Sequence, residues 1–568
     1  MGERSPKARS NALLHLARDT TPASRDSATQ MNRLHTPSAP SPLAARARSF
    51  VAIAGALAIA ALVSQAPAFA ASATLGYDDA RHLLARTGFG PNDAEIRTYA
   101  SMTREAAVDT LLRGAQTVAT LAPPASATDT SPLRPPRGDA TEEERKAFVR
   151  KQVREGLELR AWWINEMRVT PSPLTERMTL FWHNHFVSAQ PKVRTTRLMY
   201  WQNATLRENA LGNFGTLLHA IAKDPAMLVY LDGVRSRKGT PNENFAREVM
   251  ELFTLGEGHY TEQDIKEAAR AFTGWSLDRE TGQYVFRPAL HDYGLKTVLG
   301  KSGRFDGDDV LDILLARPET AEYVTAKLWR EFVSPDVDAT EVRRIAARFH
   351  ESHYDIRVAL REILTSDGFY SAEHRGVLVK SPVELIVGTL RVFHLQPGQA
   401  LPFAVAAAGM GQNLFSPPNV KGWPGGEVWI NTTTLLARKQ FVDRIMRGDD
   451  ATSMGAVAAA RSDGKVTEAM NSESSAATPM KLIAAGGAVA VDAAQRQRFF
   501  ERMERGVSNI HFDAARWLAQ LPGETAAERG KRAQRLLLAV APQQTIDLSA
   551  DAPALVRSLV LDAAYQLK

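Results

Sequence analysis

The chain has 568 residues and no cysteine, with 44% apolar and 23% charged residues and 69 Lys plus Arg against 63 Asp plus Glu. That composition excludes a disordered, collagenous or disulfide-stapled protein, and the length is enough for a large core. The formal charge of +6 invites a nucleic-acid reading until its location is known.

The excess lies at the N-terminus. Residues 1–70 carry Arg4, Lys7, Arg9, Arg18, Arg25, Arg33, Arg46 and Arg48 against Glu3, Asp19 and Asp26; taking these from the totals of 69 and 63 leaves 61 basic and 60 acidic side chains. A near-neutral remainder gives no reason to expect nucleic acid as a partner. Within the leader, the apolar run from Phe50 to Val63 follows Arg46 and Arg48 and precedes Pro67-Ala-Phe-Ala70-Ala71. A basic stretch, an apolar stretch and a small-x-small end read as a secretory signal cleaved after Ala70, with Met31 as an alternative start. The expected location is periplasmic or extracellular by general secretion. The run is too short for a comfortable span, so no stable membrane span is expected after cleavage.

From Tyr77 onward the apolar spacing is mostly helical, which predicts a mainly α, multi-helical globular body with a small β-hairpin insertion near 283–300. Short helices are expected over 78–84, 91–100 and 103–113, then a Pro- and Gly-rich loop over 118–139. Thr141-Glu-Glu-Glu144 is a capping box that opens a long helix through Trp162 and Trp163. Pro171 and Pro173 end it, and the next helix runs over 175–186. Thr240-Pro-Asn-Glu243 reads as a second capping box, with Pro241 at the first helical position and Gly256 as terminator. The segments 283–287 and 296–299 are the expected strands, paired around His291-Asp-Tyr-Gly294. Helices resume from 308 to 446. The boundaries that result are a leader over 1–70, a helical core over 71–448, an Ala, Gly and Ser-rich linker or insertion over 449–494, and C-terminal helices over 495–568 that pack on the core.

Four stretches stand out in order: Arg81-His-Leu-Leu-Ala-Arg-Thr-Gly-Phe-Gly-Pro91, Phe181-Trp-His-Asn-His-Phe186, Asn242-Glu-Asn-Phe-Ala-Arg-Glu-Val-Met-Glu-Leu-Phe-Thr-Leu-Gly256 with His259 and Tyr260, and Pro417-Pro-Asn-Val-Lys-Gly-Trp-Pro424 with Trp429-Ile-Asn431. Together they resemble the bacterial exported family known as domain of unknown function 1800, from about Tyr77 to the C-terminus. The resemblance implies a mostly helical exported protein and a secreted partner of phosphatase or sulfatase type. It brings no reaction with it.

The chemistry must therefore be read from the residues. His183 and His185 are candidate ligands for a divalent metal, although i and i+2 lie about 200° apart on a continuous helix. On the 241–255 helix, Phe245, Val249, Leu252 and Phe253 form the apolar face, which leaves Asn244, Arg247, Glu248 and Glu251 on the polar arc. Glu248 and Glu251 are candidate acid and base, with His259 close behind; Asn244 and Arg247 are candidate substrate contacts. The competing reading is a solvated ladder of ion pairs through Glu243, Arg247 and Glu251. His291 and Asp292 on the hairpin loop are further catalytic candidates, and Asp306-Gly-Asp-Asp309 is explained by capping. Trp423, Trp429 and Asn431 are candidates for holding a polysaccharide, another polymer or a partner protein. The sequence holds no Gly-x-Ser-x-Gly, His-Glu-x-x-His, phosphate-loop or Cys-x-x-Cys-His motif. Two functions are expected on these grounds: an envelope or extracellular hydrolase or transferase acting on a polymer, or a non-catalytic binding or assembly protein that works with a phosphatase-like partner.

Overall fold

A computed structural model describes residues 73–131, 139–278, 280–447 and 493–568. The leader and almost all of the 449–494 stretch lie outside the described residues. The fold is mainly α, with two small antiparallel two-stranded sheets.

The spine is the helix Glu142–Val169, 28 residues long. Thr141 starts it: Glu144 N donates to Thr141 Oγ1 at 3.2 Å, and Thr141 N donates to the Glu144 carboxylate at 2.7 Å. Leu159, Trp163 and Met167 on its inner face are fully buried. The helices Pro173–His185, Thr196–Glu208, Pro382–Val392 and Leu401–Gly409 pack along it.

A buried polar knot ties three of these helices together. Trp163 Nε1 donates to Glu176 Oε2 at 2.8 Å, and Arg207 forks onto the same carboxylate at 2.5 and 3.0 Å. Glu176 and Arg207 are 1% and 2% exposed, so each charge depends on the other for solvation. The C-terminal helices Ala493–Ser508, Ala514–Ala519, Ala526–Leu537 and Ala552–Leu561 pack against this body. Trp517 Nε1 donates to the Val392 carbonyl at 2.9 Å, and Arg535 forks onto Asp78 at the far end of the chain.

Strands occur where they were expected, but not paired as expected. Tyr284–Phe286 pairs with Trp275–Leu277, and Lys296–Val298 pairs with Lys301–Gly303, so His291 and Asp292 sit on the connection between two hairpins. Leu299 and Gly300 both have positive φ, 49° and 79°, which makes a two-residue turn that closes the second hairpin locally. Asp306 caps the next helix by accepting from Asp308 N and Asp309 N, as its position suggested. Among the described residues, no helix is long and apolar enough to cross a membrane.

Candidate functional site

The Asn242–Gly256 motif forms a helix of two kinds. Residues Glu243–Glu248 are α-helical, and Val249–Thr254 is a π-helix. The wide turn is marked by Leu255 N donating to the Met250 carbonyl at 2.8 Å and by Thr254 Oγ1 donating to the Val249 carbonyl at 2.6 Å. Its cap also differs from expectation: Asn242 accepts from Asn244 N at 2.9 Å, while Thr240 N turns back to Arg237. Asx side chains close such turns in one step, which makes the Thr240 box unnecessary.

The π-turn takes Glu251 out of the expected ladder. Arg247 instead forks onto Glu262 at 2.7 and 2.8 Å and reaches Glu243 only at 3.9 Å. Glu251 accepts a hydrogen bond from the Tyr260 hydroxyl at 2.7 Å and faces Lys421 Nζ at 3.9 Å. Lys421 lies 3.3 Å from Glu257 as well. Glu248, three residues before Glu251, has no hydrogen bond or ion pair among the described residues. Burial and then the neighbouring Glu251 charge raise its carboxyl above the usual glutamate range. The two carboxyl groups thus sit in contrasting surroundings.

Lys421 reaches this helix because the Phe181–Phe186 motif holds its loop. Trp423 N donates to Asn184 Oδ1 at 2.7 Å, and Asn184 Nδ2 donates to the Trp423 carbonyl at 3.3 Å. Gly422 has φ +84° and lies so close to Asn184 that a Cβ would meet its carbonyl oxygen at 2.7 Å. Three motifs far apart in sequence therefore meet at Glu248, Glu251 and Lys421.

The two histidines support this junction rather than a shared ion. Both lie on the continuous helix Pro173–His185, so their rings point to opposite sides, as the 200° spacing requires. His183 packs against Trp163, Phe415 and Trp423, and burial with the nearby Arg160 charge pushes it down to about 3. His185 lies among Phe253, Phe214 and Tyr323, with Nε2 3.1 Å from the Phe253 carbonyl, and burial holds it well below the usual range. Both rings are neutral near pH 7. Among the described residues, no group of three His, Asp or Glu side chains is placed to hold a metal.

The other candidates are dispersed. His259 is exposed, and the carboxylate that feels its charge is Glu319. Asn244 is exposed at the helix start. Asp292 accepts from Arg270 at 2.9 and 3.3 Å, and that guanidinium holds it down at about 2, too acidic for a base near neutral pH. Arg270 closes the helix Glu262–Ala271, eight residues and about 12 Å from the Glu262 that meets Arg247, so Asp292 stands apart from Glu248. His291 is buried with Nδ1–H donating to the Thr273 carbonyl at 2.8 Å, and Lys296 ties the same loop through the Phe305 carbonyl at 2.8 Å. Trp423 and Trp429 are 5% and 7% exposed, so their ring faces are taken up by the protein itself. Asn431 caps the helix Thr432–Arg447, accepting from Thr434 N at 3.0 Å.

Sequence reasoning passed over Asn184, Tyr260 and Lys421, although each lies inside a quoted motif. Tyr323, whose ring packs under Gly256, and half-buried Lys327, pushed down to about 8 by its apolar surroundings and Arg330, carried no sequence signal.

No curated protein and no solved structure matches the chain. The family model described as Protein of unknown function (DUF1800) matches residues 82–556, a span that includes the whole junction from Asn184 to Lys421, and the chain belongs to that family.

Proposed function

We propose that this protein is an exported hydrolase or transferase that works on a polymer by general acid–base catalysis at Glu248 and Glu251. The observation that carries the reading is the contrast between the two carboxyl groups. Glu248 is half-buried and unpartnered, and burial raises its carboxyl above the usual glutamate range, which favours the protonated form that a proton donor to a leaving oxygen needs. Glu251 receives the Tyr260 hydroxyl and faces the Lys421 ammonium, which hold its carboxylate in place as the group that takes a proton from an attacking water. Lys421, 3.9 Å from Glu251 and 3.3 Å from Glu257, is exposed, as is Glu257, so the edge of the pair is open to a large substrate.

A screen of the purified protein on polysaccharides and other envelope polymers tests this. The parent should cleave or transfer at least one, and Glu248→Gln should lose about 10²–10⁴-fold in rate with the fold intact. Equal turnover by parent and Glu248→Gln would remove the acid–base assignment. The second reading, assembly with a phosphatase-like secreted partner, is favoured by Val428 and Leu436, 63% and 58% exposed beside the Trp429 corner. Its test is capture of such a partner by the parent and loss of capture by Val428→Asp.

A further inference from the structure

A cavity of about 1270 Å³ opens between the 3₁₀ turn Gly233–Arg235 and the Trp275–Leu277 hairpin. The hairpin is anchored to that turn by Gly274 N donating to the Ser236 carbonyl at 3.3 Å, and the following loop by Lys238 N donating to Leu290 O at 2.7 Å. Its walls are two-faced. Val193, Leu198, Val229, Val234, Leu277 and Leu290 supply an aliphatic surface with no aromatic ring among the lining residues.

Three guanidinium groups, of Arg235, Arg237 and Arg287, line the same space. Several arginines among the described residues fork onto or contact carboxylates, including Arg177, Arg207, Arg247, Arg270 and Arg344. These three form no ion pair among the described residues. Arg237 Nε donates to Thr240 Oγ1 at 3.3 Å, and Arg287 donates to Ser276 Oγ at 3.2 Å and the Leu277 carbonyl at 3.3 Å, all neutral acceptors. Of the two acids lining the cavity, Asp278 already accepts from Glu280 N, Thr281 N and Thr281 Oγ1. Glu280 is engaged too.

We propose that this cavity binds an anionic amphiphile, an alkyl or acyl chain ending in a carboxylate or phosphate. The head would be held by the arginine forks, whose planar donors match both oxyanions, and the chain would lie along the aliphatic wall. The absence of aromatic rings disfavours stacked sugars or bases as occupants. An apolar wall beside cations that have no carboxylate in contact is complementary to this one chemistry: the wall gains by leaving water, and the arginines gain an oxyanion within hydrogen-bond reach, where Arg287 now has only the more distant charge of Asp278. The proposal is independent of Glu248 and Glu251.

The test is calorimetric titration of the purified full chain with laurate and with dodecyl phosphate below their micelle concentrations, and with 1-dodecanol and inorganic phosphate as half-ligands. At least one of the two whole amphiphiles should bind about tenfold or more tighter than either half-ligand, and the tighter of the two identifies the head group. The triple substitution Arg235→Gln, Arg237→Gln, Arg287→Gln should weaken that binding by at least tenfold, whereas Arg343→Gln, an exposed arginine elsewhere, should leave it unchanged. Leu290→Asn should weaken it severalfold with the arginines in place. All three guanidiniums are exposed, so the triple variant should keep the parent's urea midpoint. Absence of binding by both amphiphiles, equal binding of 1-dodecanol or phosphate, or undiminished binding by a folded triple variant would overturn the proposal.

Discussion

Gly422→Ala should detach the Lys421 loop from the helix that carries Asn184. Gly422 sits at φ +84°, where an L side chain costs about 1–2 kcal/mol. The new methyl would also meet the Asn184 amide and, at 2.7 Å, the Asn184 carbonyl oxygen, a contact that the backbone of the buried Pro173–His185 helix cannot easily relieve. Overpacking of this kind adds about 1–3 kcal/mol, so the total is about 2–5 kcal/mol. Asn184→Ala alone should cost about 1–3 kcal/mol, because the Trp423 N–H loses its acceptor. The two substitutions share a contact, so they should not add: with the amide gone, Gly422→Ala should cost about 1 kcal/mol less, while the carbonyl clash and the backbone strain persist. Hydrogen exchange of peptides spanning 417–424 reads the local opening energy, and urea midpoints read the global one. A Gly422→Ala loss below about 1 kcal/mol, or strict additivity with Asn184→Ala, would show that the clamp does not hold the loop.

Glu176→Gln should cost about 3–5 kcal/mol by stranding the buried Arg207 charge, and Glu176→Leu with Arg207→Leu should recover most of it in urea melts; a cheap single substitution would contradict the knot. Burial pushes Asp224 up to about 7, above its unfolded value of 3.8, so its ionisation costs stability progressively as pH rises from about 4 to 7. Asp224→Asn should therefore be more stable than the parent above pH 7, by about 2–4 kcal/mol, and this advantage should vanish near pH 4. Asp292, held at about 2 by Arg270, contributes stability that is present above pH 4 and lost as pH falls towards 2. Asp292→Asn should remove that dependence and leave any turnover at Glu248 unchanged; a catalytic defect without unfolding would return Asp292 to the site.

Local rules carried the reading furthest where one element decides its own structure. Thr141 with Glu144 and Asp306 with Asp309 are capping boxes in the structure because each needs only neighbours within one turn. Pairing of strands depended on a turn that the residue code disguises: Leu299 takes the positive φ that Asn or Gly usually occupies. The apolar period along 241–255 assumes 3.6 residues per turn, so no such reading could find the π-turn or anticipate that Glu251 leaves Arg247 for Tyr260. The motif tryptophans looked like contact residues because composition cannot distinguish a ring that stacks on a ligand from one that wedges a loop, and here Trp423 covers His183. Proximity of Asn184 to Lys421 is a property of tertiary packing, since 237 positions separate them.

The π-turn has a further consequence, for tolerance to deletion. Val249–Thr254 contains one residue more than an α-helical path would need, so removing one residue there would restore regular hydrogen bonding and should be cheap for the helix. Everything after the deletion, however, would turn by about 100° and retreat by about 1.5 Å relative to Glu248. With the deletion at 249 or 250, Gly256 would leave the Tyr323 ring and Glu251 would turn away from Glu248 and Lys421. A shorter chain could thus keep its helix and lose its carboxyl pair, so the irregular turn serves the placement of Glu251 rather than the helix that contains it.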